Sequence, residues 1–219
     1  MIEYASSLKP ILRELDESLD IMRPVLVVDH LIPLFQKHSP FEQINLYPIA
    51  ANNIAGMHIS STERAVAHIF YHCCQVHPGE TEMDRSCLGC QHERWIVTKE
   101  LVHTMDSAEQ KTHPDSMGEK LLGQLLKGDW DANHQVKADG MASIWAIELL
   151  ARFCHRVVVT GNFGALPPSP ALTAARDNDD FSYLAAQYAV PSGLLKLAFS
   201  ERYLSSMRDI RLKFEMSLI

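Results

Sequence analysis

The chain lacks any run approaching the ~20 apolar residues that a membrane helix needs, so no spanning segment is expected. Its opening stretch, MIEYASSLKPILRELDE, has neither a basic n-region nor an apolar h-region, and predicts no signal peptide. Positive charge is in deficit: 20 Lys and Arg stand against 27 Asp and Glu, for a net charge of −7. That balance excludes a protein that coats nucleic acid through bulk charge. Glycine and proline are scarce, 10 and 11 in 219 residues, which excludes fibrous and low-complexity classes. Cysteine is low and odd in number at five, a poor basis for a disulfide framework. No internal repeat is present. The expectation is a cytoplasmic protein with reduced thiols, built as one domain or one core with a small appendage.

Histidine, by contrast, is abundant at 11 residues, so metal binding and acid–base chemistry both need weighing. Ile2, Leu8, Ile11, Leu12, Leu15 and Leu19 recur at helical spacing and predict a first helix over 2–20. A second follows Pro24 and is kinked or split by Pro33. INLYPIAA and GMHISS, separated by Asn52, Asn53 and Gly56, read as two strands, and the β-branched and aromatic run at 65–74 as a third. Residues 77–90 form a polar loop holding two cysteines. From about residue 91 the pattern is helical: one helix through His103, another at 116–129 with Ser116 and Glu119 spaced as a capping box, and an apolar one over 139–156. The stretch 161–180 is a long loop or boundary, followed by a short helix, a break at Val190-Pro191 and one long helix. The fold expected is α+β, mostly helical, with a small sheet of about three strands, antiparallel or mixed. Its divisions are N-terminal helices (1–40), an α+β core (41–160) and a linker with C-terminal helices (161–219).

Cys87-Leu88-Gly89-Cys90 is a C-x-x-C turn in which two thiolates can grip one zinc ion. A structural site takes four ligands, and the nearby candidates for the other two are His72, Cys73, Cys74, His77 and His92. Such a site would tie the 77–90 loop to the preceding strand. Cys73 and Cys74 point opposite ways on a strand, so at most one joins easily. The alternative is a set of free thiols. His68 and His72 could share an ion only on a helix; on a strand they lie ~13 Å apart.

The stretch Glu93-Arg94-Trp95-Ile96-Val97-Thr98-Lys99-Glu100-Leu101-Val102-His103 resembles the active helix of the ImmA/IrrE-type zinc metallopeptidase family, approximately E-R-F-T-x-A-H-E-L-G-H. Arg94, the aromatic at 95, Glu100, Leu101 and His103 match, and Lys99 replaces the first metal-binding histidine. In H-E-x-x-H two imidazoles one turn apart face one metal, and the glutamate is general base to the metal-bound water. A protonated lysine repels a dication; it can pair with Glu100 or another carboxylate instead. The family's next helix is echoed in Ala142, Ala146, Glu148, Leu149 and Leu150. The third-ligand position there is Met141, and Asp139, two residues earlier, could serve only with a shift of the helix. Leu184–Pro191 is similar to the family's trailing helices, so the resemblance spans roughly residues 45–210.

The resemblance implies zincin-like core helices and a degenerate member, a pseudo-enzyme of a bacterial or mobile-element system that binds a protein partner such as a transcriptional regulator. Glu100 would keep the general-base position, His103 a ligand position, and Lys99 the lost one. An active version would be a metallopeptidase. Two other readings come from the residues alone. One is a binding module stabilised by a Cys/His zinc site, without catalysis. The other is a DNA-binding regulator using the C-terminal helices, which have a helix-turn-helix cadence. Against it, residues 176–213 carry six basic and five acidic side chains, too even a balance to drive phosphate binding. Core packing is the better account of those helices.

Overall fold

Leu8, Ile11, Leu12 and Leu15 line one side of the first helix, α1 (Ile2–Ser18), and all four are buried. A computed structural model describes residues 2–19, 25–50, 55–61, 63–78, 84–106, 134–161 and 168–216. Pro24, Asn52, Asn53, the expected helix at 116–129, His113 and the side chain of His134 lie outside what it describes. Pro33 does split its run: a π-helical turn, Val27–Leu31, passes into α2 (Ile32–His38) with the proline in the first turn of α2, where a missing N–H costs nothing.

Three strands follow, β1 (Gln43–Ile49), β2 (Gly56–Ser61) and β3 (Val66–His72). They form a mixed sheet in the order β1-β3-β2, with β1 parallel and β2 antiparallel to β3. Alternation on β3 buries Ala67, Ile69 and Tyr71 on the inner face. Val66, His68, Phe70 and His72 take the outer face, where Tyr47 stacks on Phe70 at 5.0 Å. The inner face packs on α3 (Leu88–His103).

α3 is the central helix, flanked by β2, β3, the π turn and α4 (His134–Leu150). It has no single apolar stripe. Gln91, Glu93, Arg94, Thr98, Lys99 and Glu100 are all buried beside Val97 and Leu101. Each buried polar group therefore needs a partner. Arg94 shows how this is met: its guanidinium donates to the carbonyls of Val25 (2.5 Å) and Ala189 (3.2 Å), joining the N- and C-terminal thirds to the central helix.

The remaining helices are α5 (Phe153–Thr160), α6 (Pro170–Asp177), α7 (Ser182–Tyr188), α8 (Ser192–Ala198) and α9 (Glu201–Lys213). The described residues thus make a mostly helical α+β fold of nine α-helices and one three-stranded sheet. No helix among them is long and apolar enough to cross a membrane.

Four boundaries differ from expectation. α3 begins at Leu88, so Cys90 lies in its first turn and Cys87 caps it, and the expected loop does not run through residue 90. The apolar helix at 139–156 breaks at Ala151-Arg152, where the backbone of Arg152 turns extended and its buried guanidinium reaches the Leu19 carbonyl at 3.2 Å. The stretch 161–180 holds α6, started by Ser169, whose hydroxyl accepts from the Leu172 N–H, with Pro170 at the first helical position. The long C-terminal helix is two, because Ser200 caps a new start by accepting from the Tyr203 N–H.

Candidate functional site

α3 carries a polar cluster at each end, roughly 20 Å apart at 1.5 Å per residue. At the C-terminal end, Lys99, Glu100 and His103 meet Asp139 of α4. The Lys99 ammonium lies 2.6 Å from Asp139 Oδ1 and 3.3 Å from Glu100 Oε1. His103 Nε2 is 3.5 Å from the same Asp139 oxygen. Lys99 and His103, one turn apart on α3, therefore converge on one carboxylate of α4.

Side chains from elsewhere complete this cluster. Asp106 accepts from His103 Nδ1 at 2.8 Å and also from the Tyr4 hydroxyl, which fixes the ring so that Nε2 faces Asp139. His58, on the inner face of β2, stacks on the His103 ring at 5.8 Å and approaches Glu100 Oε2 at 3.8 Å. β2 comes this close because residue 56 is glycine. A Cβ there would lie 2.6 Å from Ile96 Cγ2 and 2.8 Å from Glu100 Oε1. Tyr4, His58 and Asp106 were not among the expected site residues. Only Asp106, three residues after His103, left a local trace in the sequence.

The electrostatics follow from this packing. Burial pulls the Lys99 ammonium down, but Glu100 and Asp139 outweigh it and raise its pKa. Burial also opposes charge on His103, yet its bonds to Asp106 and Asp139, with Glu100 nearby, lift it to about 9. Asp139 is held down at about 2 by His103 and then by Lys99, against its own partial burial. The cluster sets the Lys99 and His103 side chains among the carboxyl groups of Glu100, Asp106 and Asp139.

At the other end, Cys74, His77, Cys87 and Cys90 bring one donor atom each to within 4.8 Å of one another, and the group could hold a metal ion. Cys74 Sγ is 3.6 Å from Cys87 Sγ, and Cys90 Sγ is 3.4 Å from His77 Nδ1. Cys87 precedes α3 and Cys90 lies in its first turn, while Cys74 and His77 follow β3. Among the described residues no second group of three or more such donors converges this closely. The Cys90 N–H, directed at the Cys87 sulfur, draws that thiol down to about 7, while burial pushes Cys90 up to about 12.

The expected ligands divide between the two ends. Cys87 and Cys90 belong to the Cys/His group; His103 and Asp139 belong to the lysine cluster. His72 and His92 join neither. His72 ends β3 on the sheet's outer face, and His92 is exposed on α3 with Nδ1 2.8 Å from the Leu88 carbonyl. Of the adjacent thiols it is Cys74 that turns inward. Glu148, which matched the family pattern, stays away from His103; it is fully buried against the Arg156 guanidinium. In the C-terminal helices Leu195, Ala198, Tyr203, Leu204 and Met207 are buried, and Lys196 pairs with Asp179 at 2.6 Å.

No family model matches the chain, and neither a curated protein nor a solved structure is found to match it.

Proposed function

We propose that the chain is a catalytically silent, zincin-like module in which an ammonium stands where a metal ion would be held, and that it works by binding a partner protein. The observation that carries this reading is the position of Lys99 Nζ, 2.6 Å from Asp139 and 3.3 Å from Glu100, with His103 on the same Asp139 oxygen. A dication placed among these groups would meet a fixed positive charge at contact distance, and that repulsion is strong in a partly buried site. Without the metal, no water is acidified towards pH 7 and Glu100 has no nucleophile to activate. Its carboxylate serves instead as a partner to Lys99.

The regulatory role rests on the resemblance of residues 93–103 to the ImmA/IrrE-type helix, and a transcriptional regulator is the class of partner it suggests. Zinc, the cofactor expected from the C-x-x-C motif, belongs in this reading to the Cys/His group at the far end of α3. The test is hydrolysis of unstructured protein substrates, such as casein, by the zinc-loaded protein. The expected result is no cleavage above that of a Glu100→Gln variant. Cleavage that disappears in Glu100→Gln and in His103→Ala would overturn the proposal.

A further inference from the structure

The Cys/His group supports a more specific assignment, which rests on its own donors and stands whether or not the metallopeptidase ancestry is right. We propose that Cys74, His77, Cys87 and Cys90 bind one zinc ion as a closed four-ligand site, and that this ion clamps the start of α3 to the end of β3.

The donor chemistry selects the metal. Three thiolates and one imidazole make a soft S₃N set, which favours tetrahedral zinc over hard, oxygen-seeking cations. The distances suit it. Bond lengths near 2.3 Å for sulfur and 2.0–2.1 Å for nitrogen give tetrahedral edges of about 3.8 Å and 3.6 Å. Two of the six edges come close to these values, 3.6 Å between Cys74 and Cys87 and 3.4 Å between Cys90 and His77, and all four donors lie within 4.8 Å of one another. Four protein donors fill the tetrahedron and leave no position for water or substrate, so the site is structural and not hydrolytic.

Two neighbours fit the same purpose. Gly89 lies inside the turn, and a Cβ there would meet Cys74 Sγ at 2.5 Å. A helical position would ordinarily prefer alanine over glycine; here only glycine admits the third sulfur. Glu93, one turn further along α3, is buried and accepts from the Cys74 N–H at 2.6 Å. It is a positioning residue that holds the Cys74 backbone over the helix start, as outer-shell groups do at metal sites. The consequence is mechanical. The chain between Cys74 and Cys87 is closed by the ion, and α3, which bears Lys99, Glu100 and His103 further along, receives its first turn from it.

Cobalt reconstitution of the full chain tests this. One equivalent of Co(II) should give the intense visible bands of a tetrahedral ion, with thiolate charge transfer in the near ultraviolet. Cys87→Ser and Cys90→Ser should lose these bands, while Cys73→Ser, His72→Ala, His92→Ala and His103→Ala keep them. Glu93→Ala should weaken zinc binding roughly 10- to 100-fold, and Glu93→Gln, which retains the acceptor, should restore most of it. Chelation should open the amides of residues 88–93 to hydrogen exchange before those of 96–103. If the cysteine variants fail to fold, the wild-type spectrum still decides. Weak octahedral bands, no bound metal, or bands that survive loss of Cys87 and Cys90 would overturn the assignment. Metal lost with His103→Ala but kept without Cys87 would overturn both this site and the silent reading of the lysine cluster. Metal at both places would overturn only the latter.

Discussion

The Lys99 ammonium and the Asp139 carboxylate, 2.6 Å apart, join α3 to α4 one helical turn before His103. The contact places a cation beside both Glu100 and Asp139, and His103 Nε2 lies 3.5 Å from the same Asp139 oxygen.

Removing that cation should move its neighbours in a definite direction. In Lys99→Met, Glu100 and Asp139 lose a positive partner, so His103 becomes the only counter-charge on α3 facing them. Its pKa, about 9 in the native protein, should rise further. Stability should fall by about 1–3 kcal/mol, the cost of leaving charged groups short of a hydrogen-bond partner. Histidine ring NMR across a pH series reads the first effect and chemical denaturation the second.

Two histidines should shape the pH profile in opposite senses. His103 has its pKa raised from 6.5 to about 9, so its contribution is complete below pH 6.5 and is lost as pH climbs through 9. Its side chain is 11 % exposed, and the loss is on the order of 3 kcal/mol at most. Burial and Arg152 depress His155 from 6.5 to about 4, so its contribution is complete above pH 6.5 and fades as pH falls towards 4. Melting temperature should therefore peak near pH 6.5. His103→Gln should flatten the alkaline limb and His155→Phe, which keeps an aromatic ring against Tyr188, the acid limb.

Glu148 and Arg156 form a fully buried pair, and the guanidinium also donates to the carbonyls of Ala151 and Ala198. Glu148→Ala strands a buried cation and should cost about 3–5 kcal/mol in denaturant unfolding. The double change Glu148→Leu with Arg156→Met removes both charges and should recover a large part of that loss.

Gly56→Ala should act on the lysine cluster from the sheet side, by crowding Glu100 without removing any charge. The added methyl overlaps Ile96 and Glu100, both buried on α3, so either β2 or the Glu100 side chain must move. A destabilisation of about 1–3 kcal/mol is expected from overpacking. The His103 ring resonances should shift as its stacking on His58 is disturbed.

Much of this arrangement was legible in the chain. The spacing of Leu8, Ile11, Leu12 and Leu15 marks α1, and the alternation at 66–72 marks β3, because burial on one face is written in every second or every third to fourth residue. Glu100 and His103 stand one turn apart for the same reason. The C-x-x-C identified half of the Cys/His group. The other half depends on where β3 stops: the strand ends at His72, so Cys74 and His77 swing in while His72 stays on the outer face. Asp106, His58 and Tyr4 reach His103 through tertiary contacts, the Tyr4–Asp106 bond spanning 102 residues, and periodicity carries no record of those. The breaks at Arg152 and Ser200 were missed because a buried guanidinium and a serine cap override otherwise continuous apolar stripes.

Zinc content measured on the wild type and on Lys99→His after identical loading tests the central claim most directly. Replacing the ammonium with imidazole sets two histidines one turn apart beside Asp139, and the variant should hold two equivalents where the wild type holds one. The second equivalent should vanish when His103→Ala is added. A wild-type protein that already binds a second zinc ion, lost on His103→Ala, would contradict the account.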